Sequence, residues 1–194
     1  NEVLICANLG LPGRSGMPRK RWLIVSLLFI ATTINYMDRI LLAVLLPIIR
    51  DEFHFDETVY GEITAAFQVA YAVGALICGK LLDRYGTKFG LALTAGIWSI
   101  AAILHATVTS PMQFGIWRSL LGLSEAGNFP AGNKAVAEWF SPEERAFAVG
   151  LYTAGVNIAS IAGPPLFITI QRFFGWRACF IVTGSIGLVW MVVW

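Results

Sequence analysis

Gly79-Lys80-Leu81-Leu82-Asp83-Arg84-Tyr85-Gly86-Thr87-Lys88 puts four charges and two glycines where one apolar run, 58–82, gives way to another, 89–108. A bilayer core roughly 30 Å thick needs about 20 apolar residues of helix, because only internally hydrogen-bonded backbone is tolerated there. Both flanking runs meet that length. The stretch therefore predicts two membrane-crossing helices joined by a short charged loop. Further runs over 22–49, 111–136, 147–170 and from 177 to the end extend the pattern to six spans.

Composition agrees with a membrane class. Hydrophobic residues make up 57% of the 194 positions and charged residues 13%, against about 25% charged in soluble domains. A net charge of +2, with no basic stripe interleaved with aromatics, excludes a nucleic-acid binder. Cys6, Cys78 and Cys179 have no metal-type spacing, and an odd number of cysteines builds no disulfide framework. No metal or cofactor site follows. Neither a His-Glu-x-x-His helix nor a Gly-x-Ser-x-Gly turn is present, which argues against a membrane enzyme. Residues 1–17 lack helical period and signal-peptide character, and we read them as a disordered or non-native tail. The chain stops inside an apolar run and reads as truncated.

Loop charges orient the helices. Arg14, Arg19, Lys20, Arg21, Lys80, Arg84, Lys88, Lys134 and Arg145 fall on one side, but only Arg50, Arg172 and Arg177 on the other. The positive-inside rule makes the N-terminus cytoplasmic, and Trp22, Trp139 and Trp176 stand at helix ends where interfacial aromatics belong. Glycines 74, 79, 122, 127, 132, 150, 155 and 163 let helices approach closely. Bends are expected at Pro130 and at Pro164-Pro165.

Four ionisable residues lie within the spans: Asp38, Arg39, Arg118 and Glu125. On the insertion scale each Asp or Arg costs about 2.5–3.5 kcal/mol at a helix centre, which uses most of what the apolar residues of the first span return. Such groups face a bundle interior or water and mark substrate or ion pathways. At 1.5 Å per residue, Arg39 lies roughly 12 Å below Pro47, and Arg118 and Glu125 roughly 10 and 21 Å below Pro111. Seven residues turn a helix by about 700°, so Arg118 and Glu125 share a face and one groove can hold all four charges. They form either internal salt bridges or a transport site in which a guanidinium grips a carboxylate and a carboxylate trades a proton. Tyr36 and Tyr71 are candidate hydroxyl donors to substrate or packed aromatics.

The 79–88 stretch resembles the signature loop of the major facilitator superfamily, in which a Gly, an Asp-Arg and a second Gly precede a basic residue. Gly79 would allow close helix contact, Gly86 the tight turn, and Asp83 with Arg84 an ion-pair latch, with Lys88 as the basic residue. Thr87 departs from the pattern where many members have a second basic residue. Asn35-Tyr36-Met37-Asp38-Arg39, the run from Arg118 through Glu125-Ala126-Gly127-Asn128-Phe129-Pro130 to Phe140, and Pro142–Gly150 look like the anion:cation symporter family. That family imports organic anions, and the most similar branch carries sugar acids such as hexuronates, galactonate and glucarate.

The resemblance covers about 18–194. It implies an all-α membrane protein whose six transmembrane helices form the N-terminal bundle of a major facilitator transporter, with a C-terminal six-helix half missing. It implies that Arg39 contacts the substrate carboxylate, that Asp38 and Glu125 are protonation sites, and that Arg118 is the charge partner of Glu125. Asn157 adjoins a position where relatives contact the sugar. The expected activity is proton-coupled symport of a small organic anion across the inner membrane, with sodium as the other candidate ion. An aromatic acid, amino acid or phosphate as substrate, and a receptor or assembly subunit that binds without transport, are the alternatives.

Overall fold

The computed structural model describes residues 18–194, so the expected tail at 1–17 lies outside the described residues. Seven α-helices follow one another, with no strand among the described residues: α1 (Pro18–Phe53), α2 (Glu57–Leu104), α3 (Pro111–Glu125), α4 (Asn128–Trp139), α5 (Pro142–Thr153), α6 (Gly155–Phe174) and α7 (Trp176–Val193). Four stretches are long and apolar enough to cross a membrane: Arg19–Phe53, Glu57–Thr107, Pro142–Phe174 and Trp176–Val193.

These helices do not map one-to-one onto six spans. Expected spans two and three both fall in α2, which is interrupted only at Gly86, with φ 80° and ψ 165°. That region is open essentially to glycine alone, so the turn expected there is made by the residue able to make it. The chain reverses at this point: Cys78 before it donates to the Leu123 carbonyl at 3.6 Å, while Thr94 after it packs beside Gly127. The fourth expected span divides into α3 and α4 at Ala126–Gly127, and the fifth into α5 and α6 at Ala154.

The helix breaks lie at Ala126–Gly127, within four residues ahead of Pro130 where a proline ring displaces the i−4 carbonyl, and at Ala154. Pro130 sits in the first turn of α4, where a missing N–H leaves nothing unpaired. α6 runs through Pro164 and Pro165 without interruption. Gly79 is not a contact glycine, since a Cβ there would meet nothing within 4 Å. Close approach occurs one helical turn earlier, where a Cβ on Gly74 would stand 2.8 Å from Leu123 Cα.

Two apolar clusters hold the helices together. One gathers Val25, Leu28, Ile34, Trp98, Leu121 and Tyr152; the other gathers Leu41, Leu45, Ile49, Phe114, Phe167 and Phe180. On α1 the first cluster ends at Ile34 and the second begins at Leu41. The buried polar residues Asn35 and Asp38 occupy the seam between them. Polar ties close both ends of the bundle: Arg21 pairs with Glu144 at 2.6 Å at one end. At the other, Glu52 accepts from Trp176 Nε1 at 2.5 Å and from Arg177 at 2.8 Å.

Candidate functional site

The seam holds the four charges. Asp38, Arg118 and Glu125 are 2%, 4% and 0% exposed, and the Arg39 side chain 21%. Arg39 Nε donates to Glu125 Oε2 at 2.9 Å across the α1–α3 interface. Its guanidinium lies between aromatic faces, 4.5 Å from the Tyr71 ring centroid, 4.9 Å from that of Tyr36 and 5.6 Å from that of Phe67. A planar cation stacked on rings and hydrogen-bonded at its edge is firmly positioned. Tyr36 meets the site through its ring face on Arg39, and Tyr71 through its ring face and its hydroxyl.

Arg118 acts on Glu125 through its charge, as the resemblance implied, but makes no direct ion-pair contact with it among the described residues. Among the described residues its hydrogen bond runs from NH1 to the Asp38 main-chain carbonyl at 3.2 Å, and it stacks 5.8 Å from Phe67. The reason is depth: seven residues along one helix separate Arg118 and Glu125 by roughly 10 Å. Arg39 on the facing helix reaches Glu125 directly. Asp38 and Arg39 are adjacent in sequence, so their side chains diverge by about 100°. Asp38 turns into the bundle toward the Thr183 side chain of α7, with no hydrogen bond of good geometry to either carboxylate oxygen among the described residues. Glu125 Oε1 and Arg118 Nε are likewise buried and unpartnered.

Residues that sequence reasoning passed over support this arrangement. The Asn35 amide donates to the Glu125 main-chain carbonyl at 3.5 Å, just before the Ala126–Gly127 break frees that part of the backbone. One turn on, Asn128 donates to Thr32 Oγ1 at 3.1 Å, a second polar tie between α1 and the α3–α4 segment. A cavity of about 140 Å³ opens beside the charges, lined by Arg39, Leu42, Tyr60, Thr64, Phe67, Gln68 and Arg118. Thr64 and Gln68 were legible as polar residues one turn apart in an apolar run. Asn157 is exposed on α6 and is not among the residues lining that cavity. No group of three His, Cys, Asp or Glu side chains suited to a metal occurs among the described residues.

At the charged turn the pairing also differs from expectation. Asp83 pairs with Lys134 of α4 at 2.8 Å rather than with Arg84, and Lys134 donates to the Leu82 carbonyl at 2.9 Å. Arg84 lies over its neighbour Tyr85, 5.5 Å from the ring centroid, and Lys88 is exposed. Thr87, where the motif departs from the pattern, donates to Glu138 of α4 at 2.9 Å. The turn is therefore fastened to α4 from both sides of Gly86.

Comparison with known proteins identifies the family of the fold. The D-galactonate transporter of Escherichia coli O6:H1 is 35% identical over 187 residues, which are 96% of this chain and 44% of that protein. The galacturonate transporter of Dickeya chrysanthemi is 33% identical over 174 residues, covering 90% of this chain and 50% of that one. The hexuronate transporter of Escherichia coli K12 is 32% identical, with 90% and 40% covered. The chain thus spans half or less of the length of these relatives. Among solved structures, a bacterial homologue of the human lysosomal transporter Spinster, inward-facing and occupied, superposes with a TM-score of 0.85 at 22% identity. It covers 92% of this chain and 44% of that one, a likeness of fold. The profile of the Major Facilitator Superfamily matches residues 28–194, and with the helical fold and the buried charges in place the chain belongs to that superfamily.

Proposed function

We propose that the complete protein is a secondary active transporter that imports a sugar acid of the hexuronate or galactonate class by proton symport, and that this chain forms its N-terminal bundle. The observation that carries the reading is the buried Arg39–Glu125 pair at the edge of a cavity with a second guanidinium, Arg118. A substrate carboxylate and Glu125 compete for the Arg39 fork. Once displaced, Glu125 is the buried carboxylate that carries the coupled proton. Binding of anion and proton is then coupled. The names of the relatives support the sugar-acid class.

The bundle has six crossings in this reading. The 48 residues of α2 would extend roughly 72 Å if straight, more than twice the hydrocarbon thickness, so α2 crosses twice about Gly86. The pairs α3–α4 and α5–α6 cross once each. Two inverted three-helix repeats then place the charged first and fourth crossings opposite one another, and a second bundle supplies the other wall of an alternating-access site. The N-terminus is cytoplasmic in the inner membrane in this reading, which the loop charges support.

Vesicles containing the complete protein provide the test. Radiolabelled galacturonate should accumulate under an inward proton gradient. Glu125→Gln should retain substrate exchange but lose uphill accumulation, and Arg39→Ala should lose both. Accumulation driven by sodium alone, or undiminished uphill uptake by Glu125→Gln, would overturn the coupling scheme.

A further inference from the structure

The face of α2 that borders the cavity carries, besides Tyr71, side chains to which the transport scheme gives no role. Tyr60, Thr64, Gln68 and Tyr71 recur at intervals of four, four and three, which aligns them along one stripe of the helix. Around them stand Ala65, Ala66, Val69, Ala70, Ala72 and Val73. An amide turned toward hydrocarbon leaves its donors and acceptor without partners, so a polar stripe in such a helix belongs against water, protein or ligand. Here Tyr60, Thr64 and Gln68 line the cavity together with Arg39 and Arg118. The apolar face is turned elsewhere, with Val69 66% and Leu76 74% exposed.

The hydrogen-bonding capacity of the stripe is free and mixed. Thr64 Oγ1 gives its proton to the Tyr60 carbonyl at 2.9 Å, which leaves its lone pairs to accept. The Gln68 side chain is exposed and makes no hydrogen bond among the described residues, so both its N–H groups and its carbonyl are available. Two cations on α1 and α3 face a wall of one acceptor and one donor–acceptor on α2. A hydroxyl both donates and accepts; a carboxylate only accepts. The cations suit the charged end of a ligand, and the α2 wall suits its hydroxyls.

We infer that Thr64 and Gln68 read the hydroxyl groups of the transported anion, so that the site takes a polyhydroxylated carboxylate and rejects an alkyl carboxylate of similar length. The inference rests on the sugar-acid reading above. A site built to hydrogen-bond a hydroxyl disfavours an analogue that lacks it, because the groups of the site are then left unpaired. Removing those groups should level the preference.

The complete protein in vesicles serves for the test, with Thr64→Val and Gln68→Leu made singly and together. Unlabelled galacturonate, gluconate and hexanoate compete against radiolabelled galacturonate. Each substitution should weaken inhibition by the two hydroxylated acids about tenfold, the loss of roughly one hydrogen bond, and leave inhibition by hexanoate unchanged or stronger. Thr64→Ser should keep the wild-type selectivity. An unchanged selectivity ratio would overturn the assignment. So would an equal loss for all three acids with a lowered melting temperature, which would mark the stripe as a contact with the other half of the protein. Failure of wild type to take up any hydroxylated acid would instead sink the sugar-acid reading itself.

Discussion

Arg39→Met should cost far more stability than Glu125→Gln, although each breaks the same ion pair. Glu125 is 0% exposed, and its one side-chain hydrogen bond among the described residues comes from Arg39 Nε. Without it the carboxylate stays buried with no donor, Oε1 being unpartnered already. Breaking a buried pair in this way costs about 3–5 kcal/mol. Glu125→Gln instead leaves an uncharged acceptor within reach of Arg39. The guanidinium keeps its aromatic cradle of Tyr36, Phe67 and Tyr71 and a 21% share of solvent. Its loss should be about 1–2 kcal/mol. The double variant Arg39→Met with Glu125→Met removes both charges together and should be less destabilised than Arg39→Met alone, because replacing a buried pair by apolar groups is often neutral. Thermal unfolding of the purified complete protein, followed by tryptophan fluorescence, separates these cases. At roughly 2–4 °C per kcal/mol for a unit of this size, Arg39→Met should lower the midpoint by about 10 °C and Glu125→Gln by about 4 °C. Equal losses in the two single variants, or a double variant whose loss is the sum of both, would refute the view that an otherwise donorless carboxylate depends on Arg39.

Two further expectations concern the charged turn. Gly86→Ala forces a Cβ into a backbone conformation at φ 80° and should cost about 1–3 kcal/mol, whereas Gly79→Ala, in helix with open space around it, should stabilise by about 0.5–1 kcal/mol; the midpoints of thermal unfolding report both. Asp83→Asn breaks a pair whose Asp side chain is 80% exposed, so the loss should stay below about 1 kcal/mol and shrink further in high salt, as parallel melts at low and high ionic strength would show.

The pairing at the charged seam shows where sequence reasoning reaches its limit. Depth along a helix follows from a fixed rise per residue, so the sequence places Asp38, Arg39, Arg118 and Glu125 at overlapping levels on two helices, and the structure brings them together. Which cation meets which anion depends on the rotation of α1 against α3, and that rotation is set by packing. It gives Glu125 to Arg39, turns Asp38 inward and sends Arg118 to a main-chain carbonyl. Asp83 with Lys134 follows the same logic, since no pattern local to 79–88 can reveal a partner on α4.

Hydropathy, loop charge and glycine placement are one-dimensional, and by themselves they determined the membrane class, the resemblance to a transporter superfamily, the turn at Gly86 and the residues that carry charge into the apolar layer. Helix continuity was decided only in three dimensions. Proline identity pointed to bends at Pro130 and Pro164-Pro165; one break, Ala126–Gly127, lies within four residues ahead of Pro130, the other lies at Ala154, and α6 continues as helix through its two prolines. Tertiary structure also decided which polar residues share a cavity, because Thr64 and Gln68 meet Arg39 and Arg118 only when three separate helices pack. A helix places its side chains by its own period. Their partners are placed by the contacts of other helices, which no single stretch of sequence contains.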